Sequence, residues 1–203
     1  LSHALNSKAV GRKVASLLGK EYGEVRLIVA HLGTGVSVSA QRYGRTVDVN
    51  NAMDEGPFSP DRCGTLPGNQ LVRVCYSGRY SEAEMRAKVT SQGGMYSYLG
   101  TKDVREAQKM AEAGDAQAKL VLEAMPYQVA KDIGAMAAVL EGQVDAIALT
   151  GGIAYAEAIV ADIRRRVEFI APVYVVPGEE ELESLALGAL RVLRGEEEAR
   201  RYE

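Results

Sequence analysis

The order of the predicted elements constrains the fold more than any other feature of this sequence. Three short segments with alternating apolar and polar residues follow one another closely, at 25–32, 36–42 and 46–50, and glycines lie in the turns between them. Two further apolar strands, at 144–150 and 173–176, alternate with helical patterns near the C terminus. Strands joined by tight turns pair antiparallel, whereas strands joined through a helix pair in parallel. We therefore predict one mixed sheet, an antiparallel meander extended by parallel strands, with helices packed on it.

Helical patterns occupy most of the rest of the chain. Apolar residues recur every three to four positions in the segments 3–22, 103–113, 116–140, 154–169 and 180–194. Ser81, followed three residues later by Glu84, predicts a capping box at the start of a further short helix. Pro126 predicts a kink in the longest helix. The Pro- and Gly-rich segment 51–68 predicts a long ordered loop, and loops of this length in compact domains are usually functional.

The composition excludes several classes of protein. A net charge of −3 and a sequence pI near 5.6 disfavour a partner that is a nucleic acid or a membrane surface. Cys63 and Cys75 show no metal-ligand spacing, and with only two histidines a structural zinc site is not expected. No apolar run approaches the length that a membrane span needs. We therefore predict a globular, cytoplasmic protein.

The turn between the first two strands reads HLGTG, from His31 to Gly35. A tight hairpin turn is the simplest interpretation of two glycines at this place. Glycines also let the backbone approach a ligand closely and point successive N–H groups at one anion. His31, at the end of an otherwise apolar strand, favours a cleft that holds a phosphate or carboxylate. We therefore predict that the backbone amides of Gly33, Thr34 and Gly35 bind a phosphate.

Three further segments could carry chemistry, and each also has a plainer interpretation. Gly151 and Gly152 end a buried strand and open a helix, which is a place for phosphate or adenosine or simply a tight turn. Arg62 in the long loop could make paired hydrogen bonds to a phosphate or carboxylate, or could lie at the surface. Glu183 could reach a magnesium ion, although an acidic first turn of a helix is the more common explanation for such a residue.

Three long segments carry a resemblance to a known family. They read IVAHLGTGVSVSAQRYGRTVDVNNAMDEGPFSPDRCGTLPG, YLGTKDVREAQKMAEAGDAQAKLVLEAMPYQVAKDIGAMAAVLEGQVDAIALTGGIAY and FIAPVYVVPGEEELESLALGALRVLRGEE. With these segments the chain resembles butyrate kinase over nearly its whole length, from Ser2 to Glu197. Butyrate kinase and acetate kinase belong to the superfamily of sugar kinases and actin-like ATPases. The resemblance implies an α/β fold, a ribonuclease-H-like (actin-like ATPase) lobe with a β-meander and flanking helices. It also implies ATP and Mg²⁺ as cofactors and transfer of a phosphoryl group from ATP to butyrate or another short-chain fatty acid, giving an acyl phosphate and ADP.

The same resemblance assigns roles to residues by position. It implies that His31, Arg62 and His3 are catalytic and contact the transferred phosphoryl group and the acid. The residues that it implies for the nucleotide are Gly33, Thr34, Gly35, Asp103, Arg105, Gly151 and Gly152. Glu183 matches a carboxylate near the magnesium. Thr34 departs from the pattern, which has Gly in butyrate kinases and Asn in acetate kinases, but a backbone amide is retained there.

The resemblance covers the second of two lobes. The family's first lobe, with its own phosphate loop, acid-binding pocket and catalytic acidic residue, has no counterpart in this sequence, and Leu1 leads almost at once into a helical pattern. We therefore expect residues 1–203 to be the C-terminal nucleotide-binding lobe of a two-lobed kinase, with the helix at 180–194 packing toward the first lobe. We expect the isolated lobe to be a poor catalyst, and the protein to form a homo-oligomer.

Two alternatives remain open from the sequence. One is a non-catalytic, actin-like module that binds nucleotide and works in assembly. The other is a kinase of the same superfamily that acts on a different acceptor, such as a sugar hydroxyl. The second alternative needs an aspartate base near the acceptor, and no acidic residue of this chain is clearly placed for that task.

Overall fold

A five-stranded mixed sheet forms the centre of the protein. A computed structural model describes residues 3–179, 181–196 and 198–199. The strands are β1 (Arg26–Leu32), β2 (Val36–Arg42), β3 (Arg45–Val49), β4 (Ala146–Gly151) and β5 (Val173–Pro177). Their order in the sheet is β3-β2-β1-β4-β5, with β1–β2 and β2–β3 antiparallel and β1–β4 and β4–β5 parallel. The predicted meander, extended by two parallel strands, is therefore confirmed.

Eight helices flank or extend from this sheet in the described part of the chain. They are α1 (Ala4–Leu17), α2 (Gly68–Cys75), α3 (Glu82–Thr90), α4 (Gly94–Leu99), α5 (Val104–Glu112), α6 (Ala116–Val139), α7 (Glu157–Val167) and α8 (Glu181–Leu193). The capping box at the start of α3 is confirmed, because the Glu84 amide donates to Ser81 Oγ and the Ser81 amide donates to Glu84 Oε2. α6 runs through Pro126 as one helix. Residues 51–67 form neither helix nor strand, as predicted.

Two predicted helices are shorter than their apolar patterns suggest. α1 ends at Leu17, and Gly19 follows in the left-handed conformation (φ 69°) that commonly terminates helices at glycine. The helix predicted over 154–169 is divided into a 3₁₀ turn, Gly152–Tyr155, and α7. The extended backbone of Ala156 (φ −82°, ψ 93°) separates them.

Alternation along β1 directs its side chains to two different cores. Ile28 and Ala30 face the larger core, which β2, β4, α6 and α7 complete. Leu27 and Val29 face a smaller core with the apolar side of α1. Since side chains of a strand alternate between the two faces of the sheet, His31 follows Leu27 and Val29 onto the α1 face. This register brings the end of β1 against the first turn of α1.

The helices themselves give no sign of a membrane-spanning role. No helix within the described residues is both long and apolar enough to cross a bilayer.

Candidate active site

Several of the residues predicted to be functional lie at one edge of the sheet. β1, β4 and β5 are parallel, so their carboxyl ends lie together, and an open α/β sheet commonly binds ligands at that edge. The segments that leave this edge are the Gly33–Gly35 turn, the pair Gly151–Gly152 and the pair Gly178–Glu179. The topology thus brings three separate parts of the sequence to one place.

His31 is a buried polar group at this edge, with only 1% of its surface exposed. Its Nε2 lies 2.9 Å from Glu179 Oε1, and its Nδ1 lies 2.8 Å from Asn6 Nδ2. Burial, together with the neighbouring His3, lowers the pKa of His31 from 6.5 to about 4, although Glu179 opposes the shift. His31 is therefore a neutral ring at physiological pH.

His3 stacks directly on His31. The ring centroids are 3.8 Å apart and the planes differ by 18°. His3 stands at the N-terminal end of α1, and its Nδ1 lies 3.0 Å from Ser37 Oγ on β2. The structure therefore brings together the two histidines that the sequence resemblance implies for the site.

Arg62 reaches the same site from the long loop. Its guanidinium lies against Gly35 so closely that a methyl group at Gly35 would overlap it. Arg62 Nη1 donates to the Ala52 carbonyl at 3.1 Å, whereas the buried Nε has no hydrogen-bond partner among the described residues. Asp61 contributes only a distant ion pair, with 3.9 Å between Nε and Oδ1. Arg62 therefore has donor capacity left for an anion beside the glycine turn.

Ser59 connects the long loop to the glycine turn. Its hydroxyl donates to the Thr34 carbonyl and accepts from the Arg62 amide at 3.1 Å, and its side chain is fully buried. One side chain thus fixes the turn and the arginine relative to each other.

A cleft of about 870 Å³ opens beside the glycine turn. It is lined by five of the residues predicted to bind nucleotide, which are Gly33, Thr34, Asp103, Arg105 and Gly152. Asp103 holds Arg105 in a two-pronged ion pair, with 3.0 Å to Nε and 2.6 Å to Nη2. This hydrogen bonding lowers the pKa of Asp103 to about 2, so the carboxyl is ionised at neutral pH. Glu179 also borders the cleft, which therefore adjoins the histidines.

Gly151 and Gly152 differ in what they face. Gly151 has φ +92°, and a side chain there would overlap the backbone of Leu32. Its glycine is required by the close approach of β4 to β1, and it is not among the residues lining the cleft. Gly152 does line the cleft, and a side chain there would meet no atom within 4 Å. Of the two glycines that the sequence assigns to adenosine, only Gly152 is placed beside open space.

Glu183, the residue predicted to lie near the magnesium ion, belongs to α8. Its side chain lies outside the part of the chain that the structure describes. Among the described residues, no group of three His, Cys, Asp or Glu side chains could hold a metal ion.

Four residues of the site were not predicted from the sequence. They are Asn6, Ser37, Ser59 and Glu179. Asn6 carried a weak signal, because it lies three residues after His3 and so shares a helix face with it. Glu179 looks like one member of an acidic run, and only its position directly after β5 distinguishes it. The contacts of Ser37 and Ser59 depend on tertiary structure alone.

Comparison with known proteins identifies the family of this chain. The profile of the Acetokinase family matches residues 2–176. The acetate kinase of Porphyromonas gingivalis superimposes with a TM-score of 0.86 at 24% identity, over 94% of this chain and 55% of that one. A propionate kinase from Francisella tularensis subsp. tularensis SCHU S4 gives a TM-score of 0.81 at 24% identity, over 91% of this chain and 53% of that one.

More distant likeness extends to the ROK group. A ROK family protein from Streptococcus pneumoniae gives a TM-score of 0.54 at 13% identity, over 94% of this chain and 65% of that one. These neighbours have the actin-like ATPase fold, which confirms the predicted fold class. The chain spans about half the length of the acetate and propionate kinases that it matches. The family profile matches most of the residues of this chain, and the acetate and propionate kinases share its fold. The chain therefore belongs to the acetokinase family.

Proposed function

We propose that this chain is the nucleotide-binding lobe of a two-lobed kinase whose acceptor is the carboxylate of a short-chain fatty acid. In the proposed reaction, butyrate and ATP give butanoyl phosphate and ADP. The observation that carries the proposal is the contact of the Arg62 guanidinium and the His31 ring with the Gly33–Gly35 turn, beside a cleft that Gly33 and Thr34 line, in a chain of the acetokinase family.

The cleft suits a nucleoside triphosphate. It has open space beside Gly152 for a base or ribose, and Gly33 and Thr34 of the glycine turn also line it. The Gly33 amide donates to the Gly35 carbonyl at 3.2 Å and so closes the turn. We assign the amides of Thr34 and Gly35 to the phosphates, because consecutive backbone N–H groups form a concave anion site. Lys102, which also lines the cleft, adds positive charge.

Magnesium would come with the nucleotide. Mg²⁺ in nucleotide sites is usually held by one or two carboxylates together with the substrate phosphates, so a full protein cage is not required. We propose Glu183 as the carboxylate.

In this mechanism the chain supplies charge and orientation. Bound magnesium ATP supplies the phosphoryl group. Arg62 and the amides of the turn neutralise the charge on the equatorial oxygens, which is where phosphoryl-transfer enzymes obtain most of their rate enhancement. His31 is neutral and adds a hydrogen bond rather than a charge. No general base is needed, because a carboxylate acceptor is already ionised at neutral pH.

The proposed division into lobes draws support from α8. Leu185, Leu187 and Leu193 expose 51%, 45% and 83% of their surfaces. Leu185 and Leu187, together with the exposed Leu5 on α1, line one groove beside the site, which a first lobe would cover. The length of the acid would be set in that lobe, so butyrate is proposed from the sequence resemblance alone.

The direct test is an acid-dependent ADP assay on the whole gene product with Mg-ATP and acetate, propionate, butyrate or isobutyrate. We expect ADP formation that requires the acid, with the highest kcat/KM for butyrate. An Arg62→Ala protein serves as the control for contaminating kinases. Tight ATP binding without any acid-dependent ADP would instead favour the actin-like binding module, and ADP formation that requires a sugar would favour a hydroxyl acceptor.

A further inference from the structure

Asn6 is a buried side chain that the proposed mechanism does not use. It exposes 3% of its surface and lies in the first turns of α1. Its Nδ2 lies 2.8 Å from His31 Nδ1 and 3.4 Å from Thr150 Oγ1. Both contacts join α1 to the ends of strands, β1 in one case and β4 in the other.

The direction of these hydrogen bonds follows from Thr150. The Thr150 hydroxyl donates its proton to the Gly178 carbonyl at 3.2 Å, so its oxygen is left to accept. Asn6 must therefore present its amide nitrogen, and not its oxygen, to Thr150. The second N–H of the same amide then faces His31 Nδ1. An N–H donor can bond to that ring nitrogen only when the nitrogen carries a lone pair.

The contact on the opposite side of the ring independently indicates the same protonation state of His31. Glu179 Oε1 lies 2.9 Å from His31 Nε2, and an ionised carboxylate only accepts hydrogen bonds. This contact requires a proton on Nε2. The titratable groups that face His31 are Glu179 and the stacked His3. A second imidazole 3.8 Å away disfavours a positive charge on His31, so the ring carries a single proton. Of its two nitrogens, Nε2 faces an acceptor and Nδ1 faces a donor.

We propose that Asn6 is a positioning residue that holds His31 in its Nε2–H tautomer, so that His31 offers the bound anion a hydrogen-bond donor and never a base. The identity of that anion, a phosphoryl or carboxylate oxygen, rests on the proposed function. In the absence of the anion, Glu179 accepts the same N–H bond. A ring held in this state cannot remove a proton from an alcohol at Nε2, so His31 favours an acceptor that is already ionised.

The tautomer can be read directly from the ¹⁵N shifts of the imidazole nitrogens in this 203-residue chain, labelled at histidine and recorded between pH 6 and 8. We expect Nδ1 of His31 to be unprotonated and Nε2 to carry the proton. Asn6→Asp keeps the size of the side chain but replaces the donor by an acceptor, so Nδ1 should become protonated. Ser37→Ala is the matched control, because it removes a hydrogen bond from His3 at the same site and should leave His31 unchanged.

The outcomes separate clearly. A protonated Nδ1 in the unchanged chain overturns the proposal, and this measurement does not depend on whether any variant folds. Retention of an unprotonated Nδ1 in a folded Asn6→Asp chain also overturns it, because the tautomer would then have another cause. Mg-ATP added to the same samples tests the proposed function separately: an Nε2–H tautomer in a chain that binds no nucleotide would leave the inference standing and count against the kinase.

Discussion

His3 and His31 lie face to face, with ring centroids 3.8 Å apart. Each ring is held by a neutral polar side chain, Ser37 for His3 and Asn6 for His31. Two stacked imidazoles are costly to charge together, because like charges repel and the buried His31 is shielded from water. The pair therefore gives the site hydrogen bonds, and Arg62 gives it positive charge.

Acid should destabilise the protein through His31. Its pKa is lowered to about 4 in the folded chain from 6.5, so between these values the unfolded state binds the proton more readily. The stabilisation is fully present above pH 6.5 and is lost as the pH falls toward 4. The size of the shift corresponds to a loss on the order of 3 kcal/mol across this window. Urea unfolding at pH 7.0 and pH 4.5 measures it.

His31→Gln is the comparator for this prediction, because glutamine can donate a hydrogen bond but does not titrate. Acidic residues that titrate in the same range affect both proteins alike. The difference in free energy of unfolding between the two proteins should therefore depend on pH. A difference that stays constant from pH 7.0 to 4.5 would show that His31 is not the group responsible.

Gly151 and Gly152 should respond to substitution in opposite ways. A valine at Gly152 has open space and projects into the cleft, so the fold should persist while the affinity for Mg-ATP falls by a factor of ten or more. Gly151→Ala places a side chain against Leu32 at φ +92°, a strained conformation that costs on the order of 1–3 kcal/mol even without the overlap. Calorimetric titration with Mg-ATP and thermal unfolding of both variants check the two expectations. Unchanged nucleotide affinity in Gly152→Val would place the nucleotide elsewhere.

The sheet could be predicted from the sequence because its signal is local. Alternation and glycine turns gave β2 its observed bounds and placed β1 and β3 within a residue of theirs. The ends of helices are harder to predict, because the apolar pattern of α1 continues past Gly19, where the backbone adopts the left-handed conformation. Short elements such as α4 carry too few residues for periodicity to identify them with any precision.

The site was predictable only where residue type alone indicates chemistry. The glycine turn, His31 and Arg62 are unusual in their sequence context, and the structure brings them together. Asn6 and Ser59 are ordinary polar residues whose importance arises from contacts with residues far away in the sequence. Gly151 shows that one residue type can have two explanations: it is predicted to contact the nucleotide, and its positive φ and close approach to the Leu32 backbone also require a glycine there.

Arg62 should matter for turnover more than for nucleotide binding. Removing one preorganised donor that stabilises transferring charge costs roughly 2.7–4 kcal/mol, or about a hundred- to a thousandfold in kcat. We expect that loss in an Arg62→Ala form of the whole gene product, with the Kd for Mg-ATP changed little. Arg62→Lys should restore little, because a point charge cannot make paired contacts. Near-normal turnover in Arg62→Ala would place this loop outside the active site.

A substitution at Gly35 tests whether the position of the Arg62 guanidinium matters for turnover, with the arginine still present. A methyl group at Gly35 overlaps the Arg62 guanidinium and must displace it, so Gly35→Ala should lower kcat at least tenfold. Gly23→Ala is the control, since a side chain there meets no atom within 4 Å. Equal activity of the two alanine variants would mean that the position of the guanidinium is unimportant.

The apolar groove between α1 and α8, with a volume of about 500 Å³, should make the 203-residue chain self-associate. Leu5 and Leu187 line this groove and expose 50% and 45% of their surfaces. Leu193 is more exposed, at 83%, but does not line the groove. If the groove is the associating surface, Leu187→Lys should give a monomer in light scattering, whereas Leu193→Lys should still associate. In the whole gene product, a covering lobe would make Leu187→Lys lower the thermal midpoint. A chain that is monomeric without any substitution would contradict the expectation that another surface covers this groove.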